Sequence, residues 1–537
     1  MIRSVKRTLL VVFLSLLPLT AMANTPPITN IQVKIFEGGL DQGWFRPSHL
    51  GVRIDDENIN DNRFDTYACL KLGSGDCGYS DGNIVSYFGT VIYPVCVDSS
   101  SGPCIEKFEL RRGSTSWQEA EYIRSVNGPT RSEEPSIGFP DAGSISLWRS
   151  KSVTHQGGEG NYAIVVVSDG SGSRGKDWSY SAIQARILPF NEEKGSFQEA
   201  SVGPSRPMSV EGVDYGKRIA YSGYEIDSIW SDRFGKGRQA EWSEGVEARL
   251  TLRVPTSTNG WIGGRMSGVD FELAPLNEKI NRLRITGSAI SVSEVEVNIP
   301  LADVPEKLKK VYPGIDPPVI GAYFSVGSKH QVAARALEAL RDYTQDRATG
   351  TRTVWGFETV ESTSNRCLAD KNRIVGFIST NALSYTNSAP TFADGRLKYS
   401  VANMHRNEKG EVIRGSYDLV IRSDAARCLY GFSNAPIEAV VSVTYDDKEE
   451  NVATTATGER DGWLFISAKN FTYSSPSIEV AISQPKPTPT PTPTVVAPST
   501  TVTKPTLKST ISCVKGTTVK KITGKSPRCP KGFKKRV

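Results

Sequence analysis

The stretch VEARLTLRV, residues 246–254, alternates apolar and polar side chains with a period of two. Valine, alanine and leucine fill the even-numbered positions, and glutamate, arginine and threonine fill the odd-numbered ones. Successive side chains of a β-strand point to opposite faces, so this pattern predicts an antiparallel strand with one buried face. The same alternation recurs in EVEVNI, residues 294–299, and together these stretches predict a mainly β fold.

The rest of the chain supports this fold class and contains one convincing helix. That helix is predicted at 328–343, SKHQVAARALEALRDY, with Ser328 as a suitable N-cap. Its apolar residues Val332, Leu337 and Leu340 face inward. Further strands are predicted at 31–36, 162–168, 372–379, 396–402, 416–422, 438–445, 463–468 and 477–483.

Length predicts several domains, because about 460 folded residues exceed what one hydrophobic core usually supports. We predict antiparallel β-sandwich-like modules. One of these modules is immunoglobulin-like in architecture only. Immunoglobulin domains have a tyrosine two residues before their second cysteine, whereas here Tyr430 follows Cys428. The predicted segments are a signal peptide at 1–23, a β domain with two local disulfides at 24–195, a β domain at 196–312, a connecting segment with the helix at 313–350, an immunoglobulin-like β-sandwich at 351–484, a Pro/Thr-rich disordered linker at 485–510 and a basic disulfide-closed tail at 511–537.

The N-terminal residues have the features of a secretory signal. Arg3, Lys6 and Arg7 precede an apolar run, and Ala21-Met22-Ala23 supplies the small residues of a cleavage site before Asn24. The apolar run is shorter than the roughly 20 residues that a membrane-spanning helix needs, and no later stretch approaches that length. The sequence therefore predicts an exported protein, extracellular or associated with the cell envelope, without a transmembrane anchor.

Eight cysteines in an exported chain are expected to form disulfides. No Cys-x-x-Cys occurs and the four histidines are scattered, which argues against a zinc site. Nearness along the chain favours pairing Cys69 with Cys77, Cys96 with Cys104, Cys367 with Cys428, and Cys513 with Cys529. The separation of Cys367 and Cys428 is large enough for that bond to join two sheets of the last sandwich.

Charge is distributed unevenly along the chain. Of 64 Lys and Arg residues, twelve lie in 486–537, where no Asp or Glu occurs, and three lie in the signal peptide. The intervening region keeps 49 basic residues against 58 acidic ones, so it carries about −9 while the C-terminal segment carries +12. Such a separation bears on partners, not on fold, and it predicts an anionic partner for the C-terminus.

The C-terminal charge is carried by a short segment at the end of a spacer. Alternating prolines at the start of 485–510 predict an extended polyproline II chain of about 80 Å when fully stretched. The segment beyond it, SCVKGTTVKKITGKSPRCPKGFKKRV at 512–537, has too little apolar surface to fold without its disulfide. The cations predicted to bind anionic polymer are Lys515, Lys520, Lys521, Lys525, Arg528, Lys531, Lys534, Lys535 and Arg536.

Other motifs have plain structural interpretations that we favour. GSGSRG at 170–175 matches a dinucleotide-binding pattern, but a strand-like segment follows it where a helix is required, which indicates a hairpin loop. His155 lies among glycines and is expected to be exposed, with a catalytic base in a loop as the alternative. Trp261 is expected to pack in a core or turn, with stacking on a sugar ring as the alternative. No cofactor is indicated. A calcium site is an alternative to a solvated loop at Asp55, Asp56, Asn58 and Asn60, although the glycine and glutamate of an EF-hand loop are missing.

Several stretches carry a resemblance to a known group of proteins. They are PVCVDSSSGPCIEKFEL (94–110), GWIGGR (260–265), ARCLYGFSNAPIEAVVSV (426–443), DGWLFISAKNFTYSSPSIEVAIS (461–483) and the SCVKG…CPKGFKK tail. The chain resembles secreted, β-rich actinobacterial proteins that end in such a basic tail, and the similarity covers most of its length. The resemblance implies export and carries over no catalytic residue.

We therefore expect a secreted, non-catalytic binding or structural protein, held at the cell envelope by its basic tail on anionic wall polymer. One alternative is a secreted hydrolase, carbohydrate-active for example, that uses the tail for retention. No Gly-x-Ser-x-Gly elbow occurs, and the paired carboxylates of a glycosidase cannot be found from spacing. The other alternative is binding of extracellular nucleic acid, which we favour less because Phe533 is the only aromatic residue of the tail.

Overall fold

The structure is a computed structural model, and the chain divides into two compact units, Met1–Pro485 and Lys486–Val537. Each unit is described by itself. The signal peptide lies outside the described residues, as does the linker except for its last two residues. The described residues are 29–37, 44–45, 49–54, 65–69, 84–97, 102–125, 138–173, 178–191, 224–225, 240–312, 323–327, 331–360, 363–370, 373–432, 438–445, 448–451, 454–473, 477–483 and 509–536.

Strands dominate the described residues, which confirms the predicted mainly β class. The strands up to residue 225 are β1 Asn30–Phe36, β2 Trp44–Phe45, β3 His49–Ile54, β4 Asp65–Cys69, β5 Ile84–Ile92, β6 Cys104–Arg112, β7 Gln118–Glu119, β8 Glu121–Ser125, β9 Ser146–Arg149, β10 Asn161–Ser173, β11 Ser179–Pro189 and β12 Tyr224–Glu225. The next are β13 Val246–Pro255, β14 Gly260–Arg265, β15 Ser267–Pro275, β16 Ile280–Ser288, β17 Ile290–Pro300, β18 Tyr323–Gly327, β19 Gly350–Val354, β20 Gly356–Val360 and β21 Ile374–Thr380.

The remaining strands follow in the C-terminal third of the chain. They are β22 Ser384–Tyr385, β23 Thr391–Ala393, β24 Arg396–Ala402, β25 Gly415–Arg422, β26 Glu438–Tyr445, β27 Lys448–Asn451, β28 Thr454–Arg460, β29 Trp463–Phe471, β30 Ser477–Ser483, β31 Ser509–Lys515, β32 Thr518–Gly524 and β33 Lys534–Lys535. The α-helices of the described part are α1 Glu306–Val311, α2 Gln331–Thr344 and α3 Ser423–Tyr430. None of the helices in the described ranges is long and apolar enough to cross a membrane.

A thirteen-stranded sheet forms the centre of the first unit. Its main order is β28-β29-β25-β21-β14-β20-β11-β10-β5-β3-β4, with β9 pairing β10 and β8 pairing β9. A five-stranded sheet, β15-β16-β13-β6-β7, shares a core with it. Leu250 and Leu252 of β13 are buried in the same cluster as Ile164 and Val166 of β10. The alternation in VEARLTLRV therefore predicts its buried face correctly, since its apolar side chains lie in this core.

The last sandwich of the unit lies at the β28 end of the central sheet. A six-stranded sheet, β22-β24-β30-β26-β27 with β23 on β24, shares a second core with that part of the sheet. Leu397 and Val480 come from the six-stranded sheet, and Leu419 and Ile466 come from the central one. The predicted sandwich-like architecture of this region is confirmed.

The division into separate β domains differs from what the structure shows. Strand β11 pairs with β20, β6 pairs with β13, and β1 pairs with β17, so the segments 24–195, 196–312 and 351–484 contribute to common sheets. The physical reason is that alternation shows that a strand has one buried face, but it does not identify the strand's neighbours. The predicted breaks near 195 and around the helix fall within one compact unit.

The predicted helix is confirmed as α2, with its described part beginning at Gln331. It packs on a four-stranded sheet of order β18-β1-β17-β19. Leu337 and Leu340 are fully buried in that core, whereas Val332 is only partly buried at its edge. Residues 328–330, including the proposed N-cap, lie outside the described residues.

Three of the four predicted disulfides are present: Cys96–Cys104, Cys367–Cys428 and Cys513–Cys529. Cys77 lies outside the described residues, so its bond with Cys69 stays a prediction. The expectation that Cys367–Cys428 bridges two sheets is wrong, because Cys428 lies in α3 and Cys367 lies in the loop 363–370. Strand β25 runs directly into α3 without a turn residue, so the alternating pattern gave no sign of the helix.

Candidate functional site

The C-terminal unit contains a three-stranded sheet of order β32-β31-β33, which we call the tail sheet. Strands β31 and β32 form a hairpin with Gly516 in its turn at a φ of 59°. Within residues 509–536, Cys513 is the one fully buried residue. The disulfide to Cys529 therefore replaces a hydrophobic core, as the sequence predicts.

All nine predicted polymer-binding cations are exposed, but they do not form one patch. Residues directly opposite each other on neighbouring strands have side chains on the same face. Lys515, Lys520 and Lys535 therefore share a face with Cys513, while Lys521 and Lys534 lie on the opposite face. The remaining cations follow the strands or lie in the segment that connects β32 to β33; they are Lys525, Arg528, Lys531 and Arg536.

The face of Cys513 is covered by the segment that connects β32 to β33. Cys529 of that segment is bonded to Cys513, and the ring of Phe533 lies 5.4 Å from Nζ of Lys520. Gly532 of the same segment, whose φ is 90°, lies close to Lys515, because an added Cβ at this glycine would lie 3.5 Å from Nζ of that lysine. We call this side of the tail sheet the covered face and the opposite side the open face.

The first unit contains a cleft of about 830 Å³ between α3, the β28–β29 turn and the five-stranded sheet. Ile374 and Trp463 contribute apolar surface to it. The charged side chains that line it are Arg373, Arg422, Arg427, Asp424, Glu459 and Asp461. The sequence could not predict this cleft, since its charged residues come from segments up to 88 positions apart (373 to 461).

Ion pairs neutralise much of the charge in the cleft. Arg427 donates from Nη1 to Oε1 of Glu459 at 2.7 Å and from Nη2 to Oε2 at 2.9 Å. Hydrogen bonding from Arg427 lowers the pKa of Glu459, so its carboxylate stays ionised. Arg422 contacts Asp424. A general acid needs a carboxyl group with a raised pKa, and Glu459 has the opposite shift.

A buried ion cluster joins the central sheet to the four-stranded sheet. Glu37, which follows β1, is fully buried, and Nη2 of Arg265 donates to its Oε2 at 2.6 Å. Nη2 of Arg186 lies 3.8 Å from the other carboxylate oxygen of Glu37. Both arginines pair in register with Gly356, where an added Cβ would lie 2.3 Å from Nη1 of Arg186. The missing side chain of Gly356 thus leaves space for the cluster, which the sequence did not reveal.

The remaining sequence motifs are GSGSRG, Trp261 and the proposed calcium loop. Strands β10 and β11 pair antiparallel, which confirms a hairpin, but residues 170–173 of GSGSRG lie in β10 and not in its loop, and residues 174–175 lie outside the described residues. Trp261 is fully buried and donates from Nε1 to the carbonyl of Leu368 at 2.9 Å, which confirms its packing role. The proposed calcium ligands Asp55, Asp56, Asn58 and Asn60 lie outside the described residues.

The expectation that His155 is exposed is wrong, because this side chain is 2% exposed. Its Nε2 lies 2.9 Å from the carbonyl oxygen of Phe190, and its Nδ1 accepts from the backbone N–H of Gly157 at 3.0 Å. This pair of contacts fits a neutral ring with the proton on Nε2. Burial lowers the pKa of His155, so it acts as a neutral structural residue at neutral pH.

The first prediction concerns the pH dependence that follows from His155. The unfolded chain binds a proton at this residue near the ordinary histidine pKa of about 6.5, whereas the folded chain does so only at lower pH. The unfolded state therefore binds more protons below about pH 6.5, and this contribution to stability falls as the pH drops. Urea unfolding across pH 7 to 5 should show a shallower decline for His155→Gln than for the parent, whatever its absolute stability. An unchanged slope would contradict this interpretation.

No group of three or more His, Cys, Asp or Glu side chains within the described ranges is placed to hold a metal ion. No protein family, curated protein or solved structure matches the chain.

Proposed function

We propose that this is an exported, non-catalytic binding protein of the cell envelope, retained on an anionic wall polymer by its basic tail. The observation that carries the proposal is the tail sheet itself. Nine cations are exposed on a small disulfide-closed fold whose residues include no Asp or Glu. A surface of one sign attracts polymers of the opposite sign, and no acidic side chain of this unit competes for its lysines.

The net charge of the rest of the chain supports a role for the tail in retention. Residues 24–485 carry a net negative charge, so they do not contribute net attraction to an anionic polymer. The resemblance to secreted actinobacterial proteins and the disulfides favour a location outside the cytoplasm. Under this proposal the tail supplies retention, and the larger unit presents its surfaces at the envelope.

Nucleic acid is a less suitable partner for the tail sheet. Binding of single strands usually combines a basic groove with aromatic side chains on which bases stack. Phe533 is the one aromatic residue of the tail, and its ring already lies beneath the ammonium group of Lys520. An aliphatic anionic polymer does not need such platforms.

The second prediction tests the proposal through salt dependence. Attraction between exposed charges is screened over about 8 Å at physiological ionic strength, so binding of the full chain to isolated cell-wall polymer should weaken steeply as salt rises. Lys520→Gln with Lys521→Gln, which removes one cation from each face of the tail sheet, should weaken binding and flatten this dependence. Lys151→Gln with Lys307→Gln is the matched variant in the first unit. It removes the same charge from exposed positions and should leave both the affinity and its salt dependence unchanged. Binding that is insensitive to salt, or equally sensitive to both variants, would contradict the proposal.

The cleft beside α3 supports a second candidate, a secreted hydrolase with the tail as its retention module. Its carboxylates at Asp424, Glu459 and Asp461 surround a space large enough for part of a polysaccharide. The test measures hydrolysis of polysaccharides and esters by the purified protein and by the variant Asp424→Asn, which lacks one of the three carboxylates. Turnover that Asp424→Asn abolishes without loss of stability would favour this candidate, and the absence of turnover would favour the binding role.

A further inference from the structure

The open face of the tail sheet has a composition of its own. Val514 of β31 lies opposite both Val519 of β32 and Lys534 of β33. Lys521 shares this face because it is two residues beyond Val519 on the same strand. The face therefore presents a valine pair with Lys534 beside it across the sheet and Lys521 two positions further along β32, opposite Ser512. Polar residues complete it, namely Thr510, Ser512 and Thr523.

The valine pair is accessible. Val519 is 49% exposed, which makes it one of a small number of large apolar side chains with such exposure among the described residues. The register separates the Cα atoms of Lys521 and Lys534 by two strands and two residue positions, a distance of about 12 Å. Two ammonium groups can therefore bind anionic groups at opposite corners of a patch that contains the valine pair.

We propose that the open face is the surface on which a linear, aliphatic phosphodiester polymer lies. Lys521 and Lys534 bind phosphate groups of the chain, and Val514 and Val519 contact the carbon segment between them. This inference rests on the proposed function, since it assigns the polymer-binding role to one face of the basic tail.

Three features select this polymer over other anions. The open face carries positive side chains and no acid, which complements a polymer with one charge per repeat. A phosphodiester chain holds its charges in the backbone, with short carbon segments between them that suit the valine strip. Sugar rings and bases bind preferentially to aromatic faces, and the open face has none, since Phe533 lies on the covered face.

The covered face provides a matched control within the same sheet. Lys515 and Lys535 are exposed cations of β31 and β33 that point to the opposite side from Lys521 and Lys534. Lys515→Gln with Lys535→Gln therefore removes the same charge from the same tail as Lys521→Gln with Lys534→Gln. Any difference between the two variants reports the binding face rather than net charge.

The experiment measures the affinity of full-length variants for poly(glycerol phosphate) over a range of salt concentrations. The open-face variant should bind about tenfold more weakly, and the slope of log affinity against log salt should fall by about 1.4, because each neutralised phosphate of a flexible chain contributes about 0.7. The covered-face variant should show a much smaller loss of affinity and a much smaller change in slope. Val519→Ser should weaken binding while leaving the slope unchanged, because it removes apolar contact and no charge.

The outcomes separate this inference from the proposed function. Equal losses in the open-face and covered-face variants would overturn the inference while leaving polymer retention by the tail in place. Tighter binding of single-stranded poly(dT) than of poly(glycerol phosphate) would overturn the choice of polymer. No effect of any tail variant on retention by the wall polymer would overturn the proposed function as well. Mass spectrometry of unreduced protein checks that Cys513–Cys529 has formed in every variant.

Discussion

Replacing Glu37 with glutamine should lower the free energy of unfolding by about 3–5 kcal/mol, the cost of breaking a buried ion pair by removing one partner. Glu37 is fully buried, and the side chains of Arg265 and Arg186 are each 2% exposed. Arg265 also donates to the carbonyl of Thr380 at 2.7 Å and lies over the ring of Tyr385. Glutamine keeps the shape of the side chain and removes the negative charge between the two arginines.

The measurement is urea unfolding of the parent and the variant, with an exposed ion pair as control. Glu296 lies 2.9 Å from Lys34, which is on the strand that leads to Glu37, and both side chains of this pair are partly solvated. Glu296→Gln should cost less than about 1 kcal/mol, because solvent screens exposed pairs. If the two variants lose similar stability, the buried cluster is not the connection between sheets that its geometry indicates.

The Glu37 cluster also shows why the sequence predicts some parts of this protein better than others. Glu37 stands in FEGG, which resembles any polar turn after a strand, and its arginine partners lie 149 and 228 positions further along the chain. Local patterns identify strands because alternation is a property of neighbours in sequence. Charge pairing across sheets depends on tertiary contacts, which leave no periodic signal.

The same limit applies to strand pairing and to the cleft. Every strand predicted from alternation is present, including those at 246–254 and 294–299, and α2 follows from its helical spacing. Alternation does not identify the partners of those strands. In the structure, segments predicted as separate domains share the central sheet. Helix α3 was missed because Arg422 ends a strand and Ser423 begins the helix with no intervening turn. The charged cleft beside α3 was therefore missed as well.

The tail was predicted more fully because its fold depends on local features. The spacing of Cys513 and Cys529, the turn glycine and the absence of acids were sufficient to predict a small hairpin with exposed lysines. The sequence did not reveal that the connecting segment covers one face. Only the register separates Lys521 and Lys534 from the lysines on the side of Cys513.

Removing the tail should have the largest effect on binding. A chain that ends at Gln484 lacks all twelve basic residues of 486–537 and keeps a negatively charged remainder. Proteins that neutralise six or more phosphates lose about a thousandfold in affinity when salt rises fourfold, which shows how much of such binding is electrostatic. We therefore expect the truncated chain to bind wall polymer at least about a hundredfold more weakly at low salt.

Retention by the tail is tested most directly by comparing the full chain with the chain that ends at Gln484 on isolated cell envelopes at low salt. The first unit is compact without the tail, so unfolding curves of the truncated chain provide the control for its integrity. We expect the full chain to sediment with the envelopes and to be released by salt, while the truncated chain stays in solution. Equal retention of the two chains at low salt would contradict the claim that the basic tail is the anchor.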